Sequence, residues 1–580
     1  MKPPLSKTLL WLLGISLGAV LAVLCIPQTG WIVRHDVMAI VEPVRKPNFF
    51  PQPNKDLLAR YPGDVSLRIW KIWNLHDVYS PLYGYHFAQL VAFERLEQKF
   101  PNSPAVFANE IGLSCMTGGL DIEWRPQEQA MWGVPATYFK TGPGSDSIHE
   151  RNVDDVIYAA LHGEQIDPGN AYFPTMAAIG YFSKHQDDLA IASLLRAGSD
   201  NSWKDYIDTN IEGGWRTITL ANGGINGCDR ADVAYAQLLP QYAKINGVFR
   251  MADWYAANLQ TSHRPADSIK LRHALLHIAA VMREQSGPAI GALVGVGEMN
   301  LIYRNSPSTS NEKTIKIGSW YLAPVIDEQL ISSYKKFLIS QGDPQEAEWI
   351  AANEADDNRV VNIIAQEDGP LLYKLSKIMD IDGAAVFGQW IALSWFICIV
   401  LAWCSARVIT ELAWARQNGK AGQLSPAQLM PYFLIIIFSV IIAIAACCTG
   451  GAPSSFLLAG AALDPASTAF YSHLDYRPFI QKVVCFLPLY TGLILVVLSA
   501  LINRRQGAGK LALAFAKATL PLLCFFLLAF CVLTVIQARE DLRVSRQLIP
   551  MLAMRQGPYY AQLKGEPWPT AGGRIGNTDL

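Results

Sequence analysis

The chain has 580 residues, 51% of them hydrophobic and only 17% charged, a balance too apolar for an ordinary soluble protein and long enough for several domains. A formal net charge of -1 supplies no global pull toward nucleic acid or an anionic surface, so no nucleic-acid partner is expected and any charged partner must be recognised locally.

The first apolar block, Leu9 to Ile26, follows Lys2 and Lys7. A basic start and an apolar core without a small-x-small cleavage site predict an uncleaved signal anchor, a membrane helix within residues 1–29. Leu24 beside Cys25 is a poor fit to a lipoprotein signal. Residues 30–55 carry Pro43, Pro47, Pro51 and Pro53 and read as an extended tether. Helical periodicity then runs through 56–385, a domain predicted to be all-α. Proline turns at Pro62, Pro101 and Pro168 each separate one apolar helix from the next.

Between the second and third turns, 116–152 is rich in turn formers such as Gly118, Gly119, Pro126 and Gly133, and is predicted to be an insertion, mostly loop. Its aromatic residues Trp124, Trp132, Tyr138 and Phe139 have two readings: a contact surface for a partner, or anchors that pin the loop to the helices.

The most regular stretch is Ile166 to Ala197. A helix starting after Pro168 places Ala177, Ala178 and Tyr181 on one face, and a second run after His185 to Asp188 does the same for Ala190, Leu194 and Ala197. Two short helices with small residues where they cross resemble a tetratricopeptide-repeat (TPR) hairpin. In that pattern Pro168 matches the closing proline, Ala178 and Tyr181 the positions of helix A, and Ala190, Leu194 and Ala197 those of helix B. Pro174 stands where the pattern has Trp, and His185 where it often has Gly. The resemblance implies a degenerate TPR-like α-solenoid with a concave face for a protein or peptide partner.

Further helices are predicted at 203–221, 231–259, 268–285, 289–303, 326–340 and 344–366, with a polar gap at 304–313 and one short strand-like piece at 314–317. Four apolar blocks follow, Val386–Cys404, Met430–Cys448, Val483–Ile502 and Ala518–Ile536, each close to the ~20 residues that cross a hydrocarbon layer. They predict a four-helix membrane region at 386–537 and a tail at 538–580. Arg407, Arg416 and Lys420, then Arg504, Arg505 and Lys510, mark cytoplasmic loops, which puts 30–385 outside the cytoplasm, as in a bacterial inner or plasma membrane. Arg539, Arg543, Arg546 and Arg555 stand against this, since five spans place them outside too. The four blocks hold no Asp, Glu, Arg or His, and offer Gln389, Ser394, Thr491 and Thr534 as polar groups.

Candidate chemistry is sparse. His273 and His277 share a helix face at the spacing of zinc proteases, but Ala274 stands where those enzymes need Glu, and no third ligand is evident. The stretch Gly287 to Asn300 lacks the rest of a nucleotide loop and suits close helix packing. The acidic residues Asp121, Glu123, Asp146, Glu150, Asp154 and Asp155 match no calcium loop, and no Gly-x-Ser-x-Gly elbow is present. Cys115 and Cys228 either pair as a disulfide or stay as separate buried thiols. No cofactor and no catalytic residue is expected. The leading expectation is a membrane-anchored helical-repeat scaffold for a protein or peptide partner; the alternatives are a component of a membrane transport or export system and an extracytoplasmic hydrolase acting through 116–152. Oligomerisation is left open.

Overall fold

The computed structural model of the chain describes residues 7–27, 29–30, 32–33, 53–74, 85–115, 120, 122, 146–225, 227–235, 239–304, 328–364, scattered helical positions from 389 to 400, 508–554 and 556–569. Among these residues all regular structure is helical, and the one bridge of β type joins Asn170 to Ser202. The chain forms two compact units, Met1–Phe49 with Asn222–Tyr235 and Lys374–Arg546, and Phe50–Ala221 with Ala236–Tyr373 and Gln547–Leu580.

In the first unit, α1 (Lys7–Cys25) leaves its apolar side chains open, with Trp11 73% exposed. Its apolar stretch Trp11–Cys25 is shorter than Leu520–Arg546, the one described helix long and apolar enough to cross a membrane, and Ser16 and Val23 on it are buried.

The second unit is built of helices whose ends are set by local chemistry. α2 (Lys55–Arg60) and α3 (Val65–Trp73) are capped by side chains: Asn54 accepts from the Leu57 amide at 2.7 Å and Asp64 from the Leu67 amide at 3.1 Å. α4 (Tyr85–Lys99) turns at Pro101 into α5 (Pro104–Ser114), where Pro104 sits in the first turn and its missing amide costs nothing. α6 (Asp146–Ile166) begins inside the stretch expected as an insertion. Past it, Gly169 takes φ 83°, and the Asn170 side chain donates to the Asp167 carboxylate and the Lys204 carbonyl while accepting from the Tyr172 and Lys204 amides. The turn at Pro168 is thus locked on all sides.

α7 (Tyr172–Ser183) and α8 (Asp187–Ala197) form the hairpin read from the sequence. Every residue of α7 from Tyr172 to Gly180 is buried, and His185 between the helices takes φ 59°, a left-handed value normally left to glycine. α6 can lie close to α7 because Gly163 has no side chain: a Cβ there would stand 2.1 Å from the Phe173 ring.

Beyond this hairpin two expectations are corrected. The helix foreseen from 203 starts only at Ile207 in α9 (Ile207–Asn222), because Asn170 holds the Lys204 backbone, Gln285 accepts from the Trp203 amide and Tyr206 takes φ 55°. The helix foreseen over 231–259 is two helices, α10 (Gly227–Tyr235), which groups with the first unit, and α11 (Pro240–Thr261), which Pro240 opens. α12 (Pro265–Gln285), α13 (Ala289–Arg304), α14 (Glu328–Ser340) and α15 (344–364) complete the array close to their expected places. One core runs continuously from Phe107 on α5 through α6–α8 and α11–α13 to Ile350 on α15. A smaller one joins α3, α4 and α5, and Tyr206 packs against both.

The last helices are α16 (Ala508–Met554) and α17 (Gln556–Lys564). Within α16, Leu520–Arg546 is long and apolar enough to cross a membrane. The expected boundary at 537 lies inside this one helix, because no helix breaker stands there. Blocks 430–448 and 483–502 and the strand-like piece at 314–317 lie outside the described residues, as does most of 386–404.

Candidate functional site

The densest polar chemistry in the helical unit is carried by α12. Arg272 donates from Nε to Asp253 of α11 at 3.2 Å and from Nη1 to Gln260 at 3.4 Å. Three turns on, Arg283 is 0% exposed and spreads its fork: Nη1 reaches Asp357 of α15 at 2.5 Å, and Nη2 reaches the Asn353 side chain and Glu284, both at 2.8 Å. A guanidinium taken out of water is tolerated only when its donors meet charged or polar acceptors, and the planar fork suits several at once. Burial pushes Asp357 up to about 6 and Glu284 up to about 7, with Arg283 pulling both back.

His273 and His277 do not meet at a metal. The His273 Nε2 lies 2.8 Å from the Glu346 carboxylate on α15, whereas His277 Nε2 lies 3.1 Å from the Asp200 carbonyl beyond α8. Burial opposes charge on His273, but Glu346, through hydrogen bond and charge, raises it above the ordinary histidine value. His277 is lowered by burial. Among the described residues no group of three or more His, Cys, Asp and Glu side chains is placed to hold a metal.

A second cluster lies at α4–α6. Glu97 and Glu110 hydrogen-bond carboxyl to carboxyl, with Glu94 and Asp155 adding negative charge and His162 positive charge nearby. Burial raises Glu110 well above the carboxylate range, and raises Glu97 less because His162 and the hydrogen bond favour its anion. His162 lies between Phe107 and Tyr158, with ring centroids at 5.4 and 5.0 Å. Glu110, the one charged residue in the run Pro104–Ser114, was a visible signal for this pair; its partner on α4 was not.

A third cluster links the start of α9 to α11 and the α12–α13 turn: the Tyr242 hydroxyl donates to Asp205 at 2.7 Å and stands 2.7 Å from the Ser286 hydroxyl. Burial pushes Asp205 up to about 6. All three residues are buried, which makes this a packing contact.

The residues singled out from the repeat pattern fall as follows. Ala178, Ala190, Leu194 and Ala197 are fully buried between helices, Tyr181 is half-buried against the same core, and Pro168 is exposed in its turn. Trp124, Trp132, Tyr138 and Phe139 lie outside the described residues. The near end of their loop is pinned: Leu120 and Ile122 are buried, and Arg250 donates to the Ile122 carbonyl at 3.2 Å. Cys115 is a free thiol inside the core, pushed by burial to about 12, and the side chain of Cys228 lies outside the described residues. Of the acidic residues near the insertion, Asp154 pairs with Lys184 at 2.6 Å, while Asp121 and Glu123 lie outside the described residues.

In the first unit, two of the polar groups foreseen singly are brought together. Gln389 donates to Thr534 at 3.2 Å and to Gln537 at 2.8 Å, all three buried. Ring stacking of Trp395 on Phe526 at 5.7 Å holds the same two segments. No protein-family model, curated protein or solved structure matches the chain.

Proposed function

We propose that the protein is a membrane-anchored, TPR-like helical-repeat scaffold that holds its helical unit outside the cytoplasm, as in a bacterial inner or plasma membrane, and binds a protein or peptide partner there. The observation that carries this reading is the single core spanning α5 to α15, whose charged side chains on α12 face inward and pair there. Charges spent on locking helices are not free for catalysis, and a stiff array of hairpins presents a fixed surface to an extended segment. Large apolar residues stay uncovered on two helices that flank α7: Tyr158 on α6 is 53% exposed and Leu189 on α8 is 50% exposed. The test is photo-crosslinking in the native membrane, with a photoreactive residue in place of Tyr158 or Leu189 of the full chain and a control in place of exposed Asp267. Discrete protein adducts from the first two and none from the control support the scaffold; no adduct, or the same adducts from all three, contradicts it.

A second reading, a component of membrane transport or export, is favoured by the Gln389–Thr534–Gln537 cluster in the apolar region. Buried amides there line a polar path or join helices. Transport predicts that liposomes holding the full chain pass small polar solutes faster than empty ones and that Gln389→Leu abolishes the difference; equal rates for all three leave only helix joining.

A further inference from the structure

The C-terminal segment after α16 does not end free. The Gln556 amide donates to the Gly287 carbonyl at 3.0 Å, and the Gln556 side-chain oxygen accepts from the Ala289 amide at 2.6 Å. Twelve residues on, the Trp568 indole donates to the Glu284 carbonyl at 3.0 Å. These three partners are backbone groups at the end of α12 and the start of α13, which a helix terminus leaves without intrahelical mates. Gln556 thus acts as the N-cap that α13 lacks in its own sequence, and Trp568 covers the last turn of α12 beside the Arg283 network. Between them Tyr559 and Tyr560 are buried, and Gly557 lies directly under the Trp568 ring, where a Cβ would come within 2.3 Å of the indole carbons. Polar ends matched to polar ends with an aromatic seal between them describe a specific contact, all of it inside one compact unit.

We infer that Gln556–Trp568 is a clasp on the α12–α13 hairpin, and that it fixes the parity of the membrane crossings. The inference rests on Leu520–Arg546 crossing the membrane, as the proposed function requires. The hairpin precedes that span and the clasp follows it, and two segments in contact must lie on the same side of a bilayer. The chain therefore crosses an even number of times between 364 and 556. With Leu520–Arg546 as one crossing, an odd number of further crossings precedes it. Of the three other apolar blocks in the sequence, one or all three cross; two is excluded. The same parity places the segment from Gln556 on the side of the helical unit, against the positive-inside bias of the arginines that precede it in the sequence, and supplies the reason: the tail has a folded destination there. Arg543, just before it, is already tied to Glu540 at 3.0 Å.

The test uses the full chain in its native membrane, with one epitope tag inserted in the polar gap at 305–312 and another after Leu580. Antibodies applied to sealed right-side-out and inverted vesicles should reach both tags in the same vesicle population; tags that appear in opposite populations overturn the parity. The clasp is tested separately by limited trypsin cleavage after Lys564. Gly557→Leu and, as a variant that introduces no clash, Trp568→Ala should each speed that cleavage about tenfold or more, since an undocked segment exposes its backbone. Unchanged cleavage in Trp568→Ala overturns the clasp. Failure of the crosslinking experiment leaves both results untouched, so the scaffold reading and the clasp fail independently.

Discussion

The α6–α8 hairpins and the α11–α15 end belong to one core but bury their residues by different means. Around α7 the contacts are apolar and small: Ala177, Ala178, Ala190 and Leu194 let helices approach, and Gly163 admits Phe173. Around α12 the same depth is reached with charge, through Arg272–Asp253, His273–Glu346 and Arg283–Asp357. The difference teaches that burial of apolar area is non-directional and forgiving, whereas a buried ion pair is bound to one geometry and costs heavily when half of it is lost.

That contrast breaks most sharply at Arg283. Arg283→Met leaves Asp357 and Glu284 buried without their cation and should cost about 3–5 kcal/mol, read by chemical denaturation in detergent; a loss below about 1 kcal/mol would mean that water reaches the site. On the apolar side, Leu194→Ala opens a cavity in a filled core and should cost about 3 kcal/mol by the same measurement. The loss at Leu194 should be independent of salt and pH, and a clear dependence on either would erase the distinction between the two regions.

A smaller effect sharpens the charged side through pH. Glu298 on α13 accepts from Asn246 at 2.9 Å, and burial pushes it from 4.5 up to about 7. The folded state therefore holds this proton to higher pH than the unfolded one, and the group's contribution to stability falls as pH rises from about 4.5 to about 7. Glu298→Gln should remove that slope and stabilise the protein by about 3 kcal/mol at pH 8 while changing little at pH 4. Parallel stability–pH curves for the two proteins would rule the explanation out. The smallest effect lies in a turn: exposed His263 takes φ 60° between α11 and α12, and His263→Gly should raise stability by about 0.5–1 kcal/mol as left-handed strain is relieved.

The contrast also explains what could be read from the sequence. The α7–α8 hairpin follows from local periodicity, as do the proline turns at Pro62, Pro101 and Pro168 and the positions of α12 to α14, because residues three and four apart decide which face is buried. His185 stands in a turn where the sequence pattern suggested glycine, and it takes the positive φ that glycine favours. The charged end is different. His273 and Arg283 find acceptors on α15, far along the chain, so periodicity shows two histidines on one face and cannot show that they part company. The same holds for Glu97 with Glu110, for Gln389 with Thr534, and above all for Trp568 with Glu284, which are 284 residues apart. Extended residues before α9 were missed because the cause, the Asn170 side chain, lies in another turn.

If these two differently built regions form one rigid body, they open together. Native-state hydrogen exchange of the full-length protein, followed by mass spectrometry for wild type and Arg283→Met, tests it most directly. Amides of α7 and α12 should share one opening free energy in the wild type and lose protection together, by a similar amount, in the variant. Protection lost around α12 while α7 keeps its wild-type exchange would show two independent modules and contradict it.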